Sequence, residues 1–375
     1  MRSPLTALVL AFMVGTAATA CAPADDEAES ETGEEAVKVD TTSPEARAQY
    51  DANVAFANGY RARCQKKGSG KRVLVTGYGR FMSISNNATG RIVSALVPDA
   101  RYPETTQPPA GQVDPPGAQL SVGTAVVDLP NAGRADVCGM VLPVYWDLAA
   151  ILVSKEVEAF DPDLVIMMGV AGGSQPIWIE LGAVNKAAPL DDGSDRLRPA
   201  VRENEAFAPI VDRAAREDQA RGNLMSWARV QAAAEKKAKE LAGEVDSRGR
   251  RFDDVLPGAK LAGFPRDSNT YLCNNVTYAT GYIMDHPGRK VTLLRASSKV
   301  RGRPNQVDVT MTADHRATPR AFIHWPSSLS SEQYAPAAKV LSAVIDAQLS
   351  APAAEGPTRG TNDLADPSLR GGGFF

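Results

Sequence analysis

The sequence predicts a three-layer α/β/α domain in which helices cover both faces of a mainly parallel, twisted sheet. Two observations favour this class. Short apolar runs of strand length alternate with longer helical patterns between residues 71 and 349, as successive β-α-β units require. One run, LVIMMGVA, is continuously apolar and is followed by two glycines, which is typical of a parallel strand buried on both faces.

Each element follows from its own local pattern. β-branched or alternating apolar runs bounded by turn residues predict strands at 71–78, 119–130, 138–146, 161–173, 177–185, 289–300, 306–314 and 320–326. Apolar residues at helical spacing predict helices at 86–97, 147–160 and 332–349, and a further helix that starts at Cys273 and continues through VTYATGYIMD to residue 285. The strands at 289–300 and 306–314 are expected to form a hairpin. The polar block at 203–245 is interpreted as an insertion or a long exposed helix.

The N-terminus differs in kind from this domain. Residues 1–20 contain Arg2, an apolar run from Leu5 to Val14 and then small residues, the order found in secretory signal peptides. The apolar run is shorter than the roughly 20 residues that a membrane span needs. Small residues directly before Cys21 predict a bacterial lipoprotein with a diacylglyceryl group on that sulfur. The alternative is an ordinary signal peptide and a secreted protein.

The remaining composition sets the limits of the domain. Residues 21–43 are acidic and poor in apolar side chains, which predicts a disordered tether. Residues 350–375 are rich in proline and glycine and are predicted to be a disordered tail. The domain is therefore placed at 44–349, with insertions at about 190–257 and 287–318. A net charge of -3 without a basic patch argues against a nucleic-acid partner, and membrane contact is expected only through the lipid.

Four cysteines in an exported chain need an explanation, because the compartment is oxidising. Cys64 and Cys138 each lie close to the start of a predicted strand, so a disulfide between them is feasible. With Cys21 lipidated, the sequence then predicts a reduced thiol at Cys273. The stretch NTYLCNNVTYATGYIMD places Cys273 in the first turn of a helix, whose positive end lowers the pKa of a thiol. A buried structural cysteine is the alternative.

A cysteine nucleophile needs a base, and the chain has only three histidines. His286 and His315 lie in polar, turn-like sequence and are interpreted as solvated residues. His324 stands at the end of the apolar run AFIHWP, where α/β folds place functional groups. His324 is therefore the candidate base.

Four blocks of the sequence together resemble the pyroglutamyl peptidase I family, also called pyrrolidone-carboxylate peptidases. The blocks are RVLVTGYGRFMSISNNAT, MMGVAGGSQPIWIELGAVN, TYLCNNVTY and AFIHWP, and the resemblance covers about residues 71–345 with gaps. It implies a phosphorylase/hydrolase-like fold, with Cys273 as nucleophile, His324 as general base and Glu180 as the carboxylate that orients the imidazole. It also implies removal of an N-terminal pyroglutamyl residue from a blocked peptide through an acyl-enzyme, with no metal or cofactor.

The resemblance further implies a binding site for the lactam ring, formed by residues at matching positions: Tyr78, Phe81, Val170, Gly172 and Gly173. Two departures stand out. Met82 and Ser83 follow Phe81 where the family has two glycines, and Val170 replaces a glutamine. Both insertions are also longer than in the family and are candidates for a lid. The alternative is a surface-tethered binding protein that kept the fold but recognises another small amide.

The segment GSGKR at 68–72 raises the further possibility of a nucleotide site. A phosphate-binding loop follows a strand and opens a helix, whereas these glycines precede a predicted strand. The sequence therefore disfavours nucleotide binding.

Overall fold

The computed structural model describes residues 43–68, 70–82, 84–109, 111–194, 198, 207–212, 214–266, 269–294 and 306–367. The predictions of a signal peptide, a lipidated Cys21 and an acidic tether up to residue 42 lie outside the described residues. So do Ser83 and parts of both predicted insertions.

The described helices are α1 (Pro44–Gly59), α2 (Ala88–Leu96), α3 (Leu148–Phe160), α4 (Trp227–Glu240), α5 (Phe252–Val255), α6 (Leu272–Asp285) and α7 (Tyr334–Leu349). The described strands are β1 (Lys71–Tyr78), β2 (Ser121–Leu129), β3 (Gly133–Leu142), β4 (Leu164–Ala171), β5 (Ile177–Glu180), β6 (Gly182–Val184), β7 (Ala220–Gly222), β8 (Leu224–Met225), β9 (Ala259–Ala262), β10 (Val291–Leu293), β11 (Val307–Val309), β12 (Arg320–Pro326) and β13 (Thr358–Arg359).

The central sheet has the strand order β13-β8-β12-β4-β1-β3-β2, and β5 and β9 extend it beside β12. Strands β1, β3, β4 and β12 pair in parallel. Strands β2, β5 and β8 pair with their neighbours in the antiparallel direction. The sheet is thus parallel at its centre and mixed at its edges, which confirms the predicted α/β class.

Two apolar cores lie on opposite faces of this sheet, because successive side chains of a strand alternate between its faces. Met167 of β4 belongs to the core shared with α1, α3 and α6. Met168, the next residue, belongs to the core shared with α2, α4 and α7. The architecture therefore has three layers.

Side-chain N-caps stabilise the starts of two helices. Ser43 Oγ accepts a hydrogen bond from the Ala46 N–H at α1, and Asn87 Oδ1 accepts one from the Thr89 N–H at α2.

Two further predictions agree with the structure. Cys64, just before β1, and Cys138, on β3, form a disulfide with their Cα atoms 5.6 Å apart, the pairing that the sequence predicted. The predicted hairpin is confirmed as the antiparallel pair β10–β11. Within the described part of the chain, no helix is long and apolar enough to cross a bilayer.

The prediction of a disordered tail after residue 349 is wrong for residues 350–367. Strand β13 pairs with β8, and the indole N–H of Trp227 donates to the Thr358 carbonyl over 2.9 Å. The guanidinium of Arg359 donates to Asp285 over 2.6 Å. Because partners distant in sequence hold this segment, its own proline- and glycine-rich composition did not indicate order.

Of the two interpretations of residues 203–245, the long exposed helix is wrong for residues 227–240. Helix α4 lies in that block and buries one face against the sheet and α7, through Trp227, Val230, Ala234 and Ala238. Two of these four buried residues are small alanines, and the helix also carries many charged residues. The apolar stripe was therefore too weak to distinguish a layer helix from an exposed one.

Candidate active site

Cys273 is the second residue of α6, which confirms that it opens a helix. Its side chain is 3% exposed. The following two asparagines fix this end of the helix. Asn274 Nδ2 donates to the carbonyls of Val184 and Lys186, and the backbone N–H of Asp147 donates to Asn275 Oδ1. The sulfur is therefore held at the positive end of a 14-residue helix, whose dipole favours a thiolate.

Strand β4 approaches this sulfur through a glycine. A β-carbon built on Gly169 would lie 2.7 Å from Cys273 Sγ, closer than van der Waals contact allows. The side of Gly169 that lacks a side chain therefore faces the sulfur directly.

His324 reaches the same place from the neighbouring strand. In the parallel pairing of β12 with β4, His324 is the partner of Gly169. Partners in a ladder direct their side chains to the same face, and adjacent strands are about 4.8 Å apart. The imidazole of His324, 2% exposed, thus lies on the face of the sheet where Gly169 meets the sulfur of Cys273.

Glu180 ends β5, the antiparallel neighbour of β12 on its other side. It pairs with Phe322, which lies two residues before His324 on the same face. Its Oε1 atom is 3.0 Å from His324 Nδ1, so the carboxylate lies against the imidazole. Asn223 Nδ2 donates to the backbone carbonyl of Glu180 and fixes the end of the strand. The structure thus brings Cys273, His324 and Glu180 together.

The prediction that Cys273 has a reduced thiol differs from the structure. The structure holds this sulfur in a disulfide. A nucleophilic role requires the thiolate and therefore the reduced form.

The two predicted aromatic residues lie in the same core as Cys273. Tyr78 is the last residue of β1. It follows by two residues Thr76, which pairs with Met167 of β4. The ring of Phe81 lies 6.1 Å from that of Tyr271, which immediately precedes α6. Phe81 therefore adjoins the end of the helix that carries the sulfur.

The other predicted ring-binding residues lie differently. Val170 alternates to the opposite face of β4 and packs in the core with α2 and α7, so its side chain is not brought together with Cys273. Gly172 and Gly173 form the loop after β4, where Gly173 has φ +72° and its N–H donates to Ser327 Oγ. Met82 has φ +46°, an unfavourable value for a residue with a side chain. This is one of the two positions at which the resemblance implied glycine.

The sequence did not predict the wall behind Phe81, which consists of Asp191, Asp192, Gly193 and Tyr271. A β-carbon on Gly193 would be 3.5 Å from the Phe81 ring, and the hydroxyl of Tyr271 donates to the Asp191 carbonyl. Asp192 accepts hydrogen bonds from Trp146 N–H and from Ser194. Burial raises the pKa of Asp192 to about 7, despite these bonds. The aromatic Tyr271, two residues before Cys273, was the only local signal of this wall.

No family model matches the chain. It is 23% identical over 179 residues to the pyrrolidone-carboxylate peptidase of Fusobacterium nucleatum, covering 46% of this chain and 69% of that protein. It is 27% identical over 162 residues to the protein of the same name from Lactobacillus johnsonii, covering 43% and 61%. The chain resembles pyrrolidone-carboxylate peptidases. The match to the second relative spans less than two thirds of that protein's length.

Solved structures give matches of the same name. Pyroglutamyl peptidase I of Bacillus amyloliquefaciens is 17% identical with a TM-score of 0.44, over 74% of this chain and 97% of that one. The pyrrolidone carboxyl peptidase of Thermococcus litoralis is 20% identical with a TM-score of 0.43, over 74% and 93%.

Proposed function

We propose that this chain is a cysteine exopeptidase that removes an N-terminal pyroglutamyl residue, or a related cyclic or capped residue, from peptides. One observation supports this above all. A cysteine at a helix N-terminus, a histidine on the adjoining strand and a glutamate 3.0 Å from that histidine share one face of the sheet. These are the nucleophile, base and orienting group of a cysteine-peptidase triad.

The chemistry follows from these positions. His324 accepts the proton of the Cys273 thiol, and the thiolate attacks the carbonyl carbon that joins the blocked residue to the next amine. The carbonyl oxygen becomes negative and accepts hydrogen bonds from backbone N–H groups at the start of α6. His324 then protonates the leaving amine as its C–N bond breaks, which leaves a thioester on Cys273.

Water completes the cycle. His324 removes a proton from a water molecule, whose oxygen attacks the thioester carbonyl. The C–S bond breaks, the free acid leaves and the thiol is restored. Glu180 keeps the imidazole oriented and stabilises its protonated form in both halves of the reaction.

The decisive experiment is cleavage of a pyroglutamyl fluorogenic amide by the purified chain in the presence of dithiothreitol. The reductant is needed because the sulfur must be reduced to attack. We expect Cys273→Ala and His324→Ala to abolish cleavage. Glu180→Gln should lower kcat less, because a misaligned imidazole is still present. Glu240→Gln, on the exposed face of α4, is the matched carboxylate control and should retain full activity.

Thermal unfolding of each variant separates loss of chemistry from loss of fold. The proposal fails if the reduced, folded wild type cleaves neither pyroglutamyl nor other N-capped peptides and if iodoacetamide does not modify Cys273. That outcome would favour the surface-tethered binding protein instead.

We also propose that the protein is an exported envelope lipoprotein, in which the Cys21 sulfur carries a lipid thioether and therefore forms no disulfide in the mature protein. The basic residue, short apolar run and small residues before Cys21 support this. Several acyl chains on one residue would anchor the chain stably, since two suffice. Mass spectrometry of the mature N-terminus tests it, and an unmodified chain that starts elsewhere contradicts it.

A further inference from the structure

A polar cleft of about 680 Å³ opens at the edge of the sheet where β4 and β12 end. Its lining includes Arg91, Arg248 and Arg250, together with several serines and the first residue of α7, Tyr334. The positive end of the helix dipole of α7 thus lies at the cleft, where it favours anions. Hydroxyl, guanidinium and helix N-terminal groups are the donors that proteins use to bind anions.

This cleft adjoins the loop after β4, on the side of the sheet that α2 and α7 cover. Ser327 and Ser328 line it, and they hold the loop after β4 by hydrogen bonds to the N–H and the carbonyl of Gly173. Only four residues lead from His324 to Ser328, so their Cα atoms are at most about 14 Å apart. An extended peptide of about four residues spans that distance.

The charges of the cleft leave one guanidinium without a carboxylate partner. Arg91 is paired with Glu104, and Arg250 is paired with Asp246 and donates to the Ser328 carbonyl. The exposed guanidinium of Arg248 forms no ion pair within the described part of the chain.

One carboxylate also lines the cleft, that of Glu332. The hydroxyls of Ser247 and Ser331 donate to its two oxygens. Arg248 is thus the group best placed to attract an anion, whereas the negative charge of Glu332 repels one.

We propose that this cleft is a leaving-group subsite that binds a carboxylate carried by the substrate within about four residues of the cleaved bond. The proposal rests on the proposed peptidase function and adds a substrate class to it, namely short or acidic blocked peptides. The carboxylate can be the free C-terminus or an acidic side chain, because both present the same two oxygens to Arg248.

The test compares kcat/KM for three peptides with the reduced, full-length chain. They are pyroglutamyl-trialanine as the free acid, the same peptide as its C-terminal amide, and an amidated peptide with glutamate in place of the second alanine. We expect the free acid to exceed its amide by about twofold to fivefold, as one partly screened charge contact allows. The glutamate peptide shows whether a side-chain carboxylate can substitute for the C-terminus.

Two variants with opposite expected effects sharpen the test. Arg248→Gln should bring the ratio of acid to amide close to one, whereas Glu332→Gln should increase it because a repelling charge is removed. Lys236→Gln, an exposed cation on α4 away from the cleft, should leave the ratio unchanged. High salt should reduce the ratio in the wild type. A wild-type ratio near one, or a ratio that Arg248→Gln does not alter, overturns the proposal.

Calorimetric binding of the acid and amide peptides distinguishes failure of this subsite from failure of the peptidase function. If no peptide is cleaved but the acid still binds more tightly, and Arg248→Gln removes that difference, the cleft is an anion site and the peptidase proposal is wrong. Equal binding of both peptides overturns the subsite.

Discussion

Gly169 and Cys273 are in such close contact that a β-carbon on the glycine would stand 2.7 Å from the sulfur. The same β-carbon would lie 2.8 Å from the ring of Phe322. Phe322 in turn packs against His324, with ring centroids 4.8 Å apart. Because Gly169 has no side chain, α6 can bring the sulfur of Cys273 close to β12, which carries His324.

Gly169→Ala should damage the site more than the small change in volume suggests. The sulfur at the helix end and the Phe322 ring are both buried, and overpacking of a core costs about 1–3 kcal/mol. We expect a loss of kcat/KM of at least about tenfold, because misplacement by about 1 Å has that scale of effect, together with a lower melting temperature. Gly59→Ala, which has no atom within 4 Å of its new β-carbon, is the control. Wild-type activity in Gly169→Ala would contradict the tight contact.

The Cys64–Cys138 disulfide should stabilise the chain by constraining its unfolded state. The two residues are 74 positions apart, and the chain-entropy model assigns about 4 kcal/mol to a loop of that size. The double variant Cys64→Ala/Cys138→Ala should lose stability of this order in chemical denaturation. Non-reducing peptide mapping provides the independent check, and alkylation of both residues without prior reduction would show that the bond does not form.

Asp285 forms ion pairs with three guanidiniums, those of Arg320, Arg221 and Arg359. The pair with Arg359 ties the C-terminal segment to α6. Burial alone raises the pKa of Asp285, but these arginines outweigh it and hold the pKa at about 2. Because the folded-state pKa lies below the ordinary value of 3.8, the stabilisation is complete above about pH 4. It is lost as the pH falls through about 2.

Asp285→Asn should therefore cost about 3–5 kcal/mol at neutral pH, since it leaves buried cations without a counter-charge. It should also flatten the dependence of unfolding free energy on pH between about 4 and 2. Asp253→Asn, an exposed carboxylate paired with Arg251, is the matched control. Equal losses in the two variants would show that the arginine cluster contributes no more than a surface pair.

Asp192, behind Phe81, should show the opposite pH dependence. Its pKa of about 7 lies above the ordinary 3.8 because the carboxyl is buried. The folded state thus retains a proton that the unfolded state releases. The resulting stabilisation is present below about pH 4 and disappears as the pH rises through about 7. Wild-type unfolding free energy should fall over this interval, and Asp192→Asn should remove that decline. Identical pH profiles would contradict a buried, protonated Asp192.

Local patterns were sufficient for much of this protein. The apolar run of β4 and the strand-helix alternation predicted the three-layer class, because periodicity reflects which faces of an element are buried. The stretch around Cys273 predicted a helix start, and the termination of β12 at Pro326 pointed to His324. These inferences depend only on residues close together in the chain.

The sequence by itself determined the class of fold, and it indicated a feasible Cys64–Cys138 pairing and a candidate nucleophile and base. Only the tertiary structure decided that β12 lies between β4 and β5, with His324 beside Gly169 and Glu180 opposite Phe322. It also decided that α4 joins a layer and that residues 350–367 close the edge of the sheet. The physical reason is that strand order and register arise from hydrogen bonds and packing between segments far apart in sequence. Such long-range contacts leave no periodic signal in either segment alone.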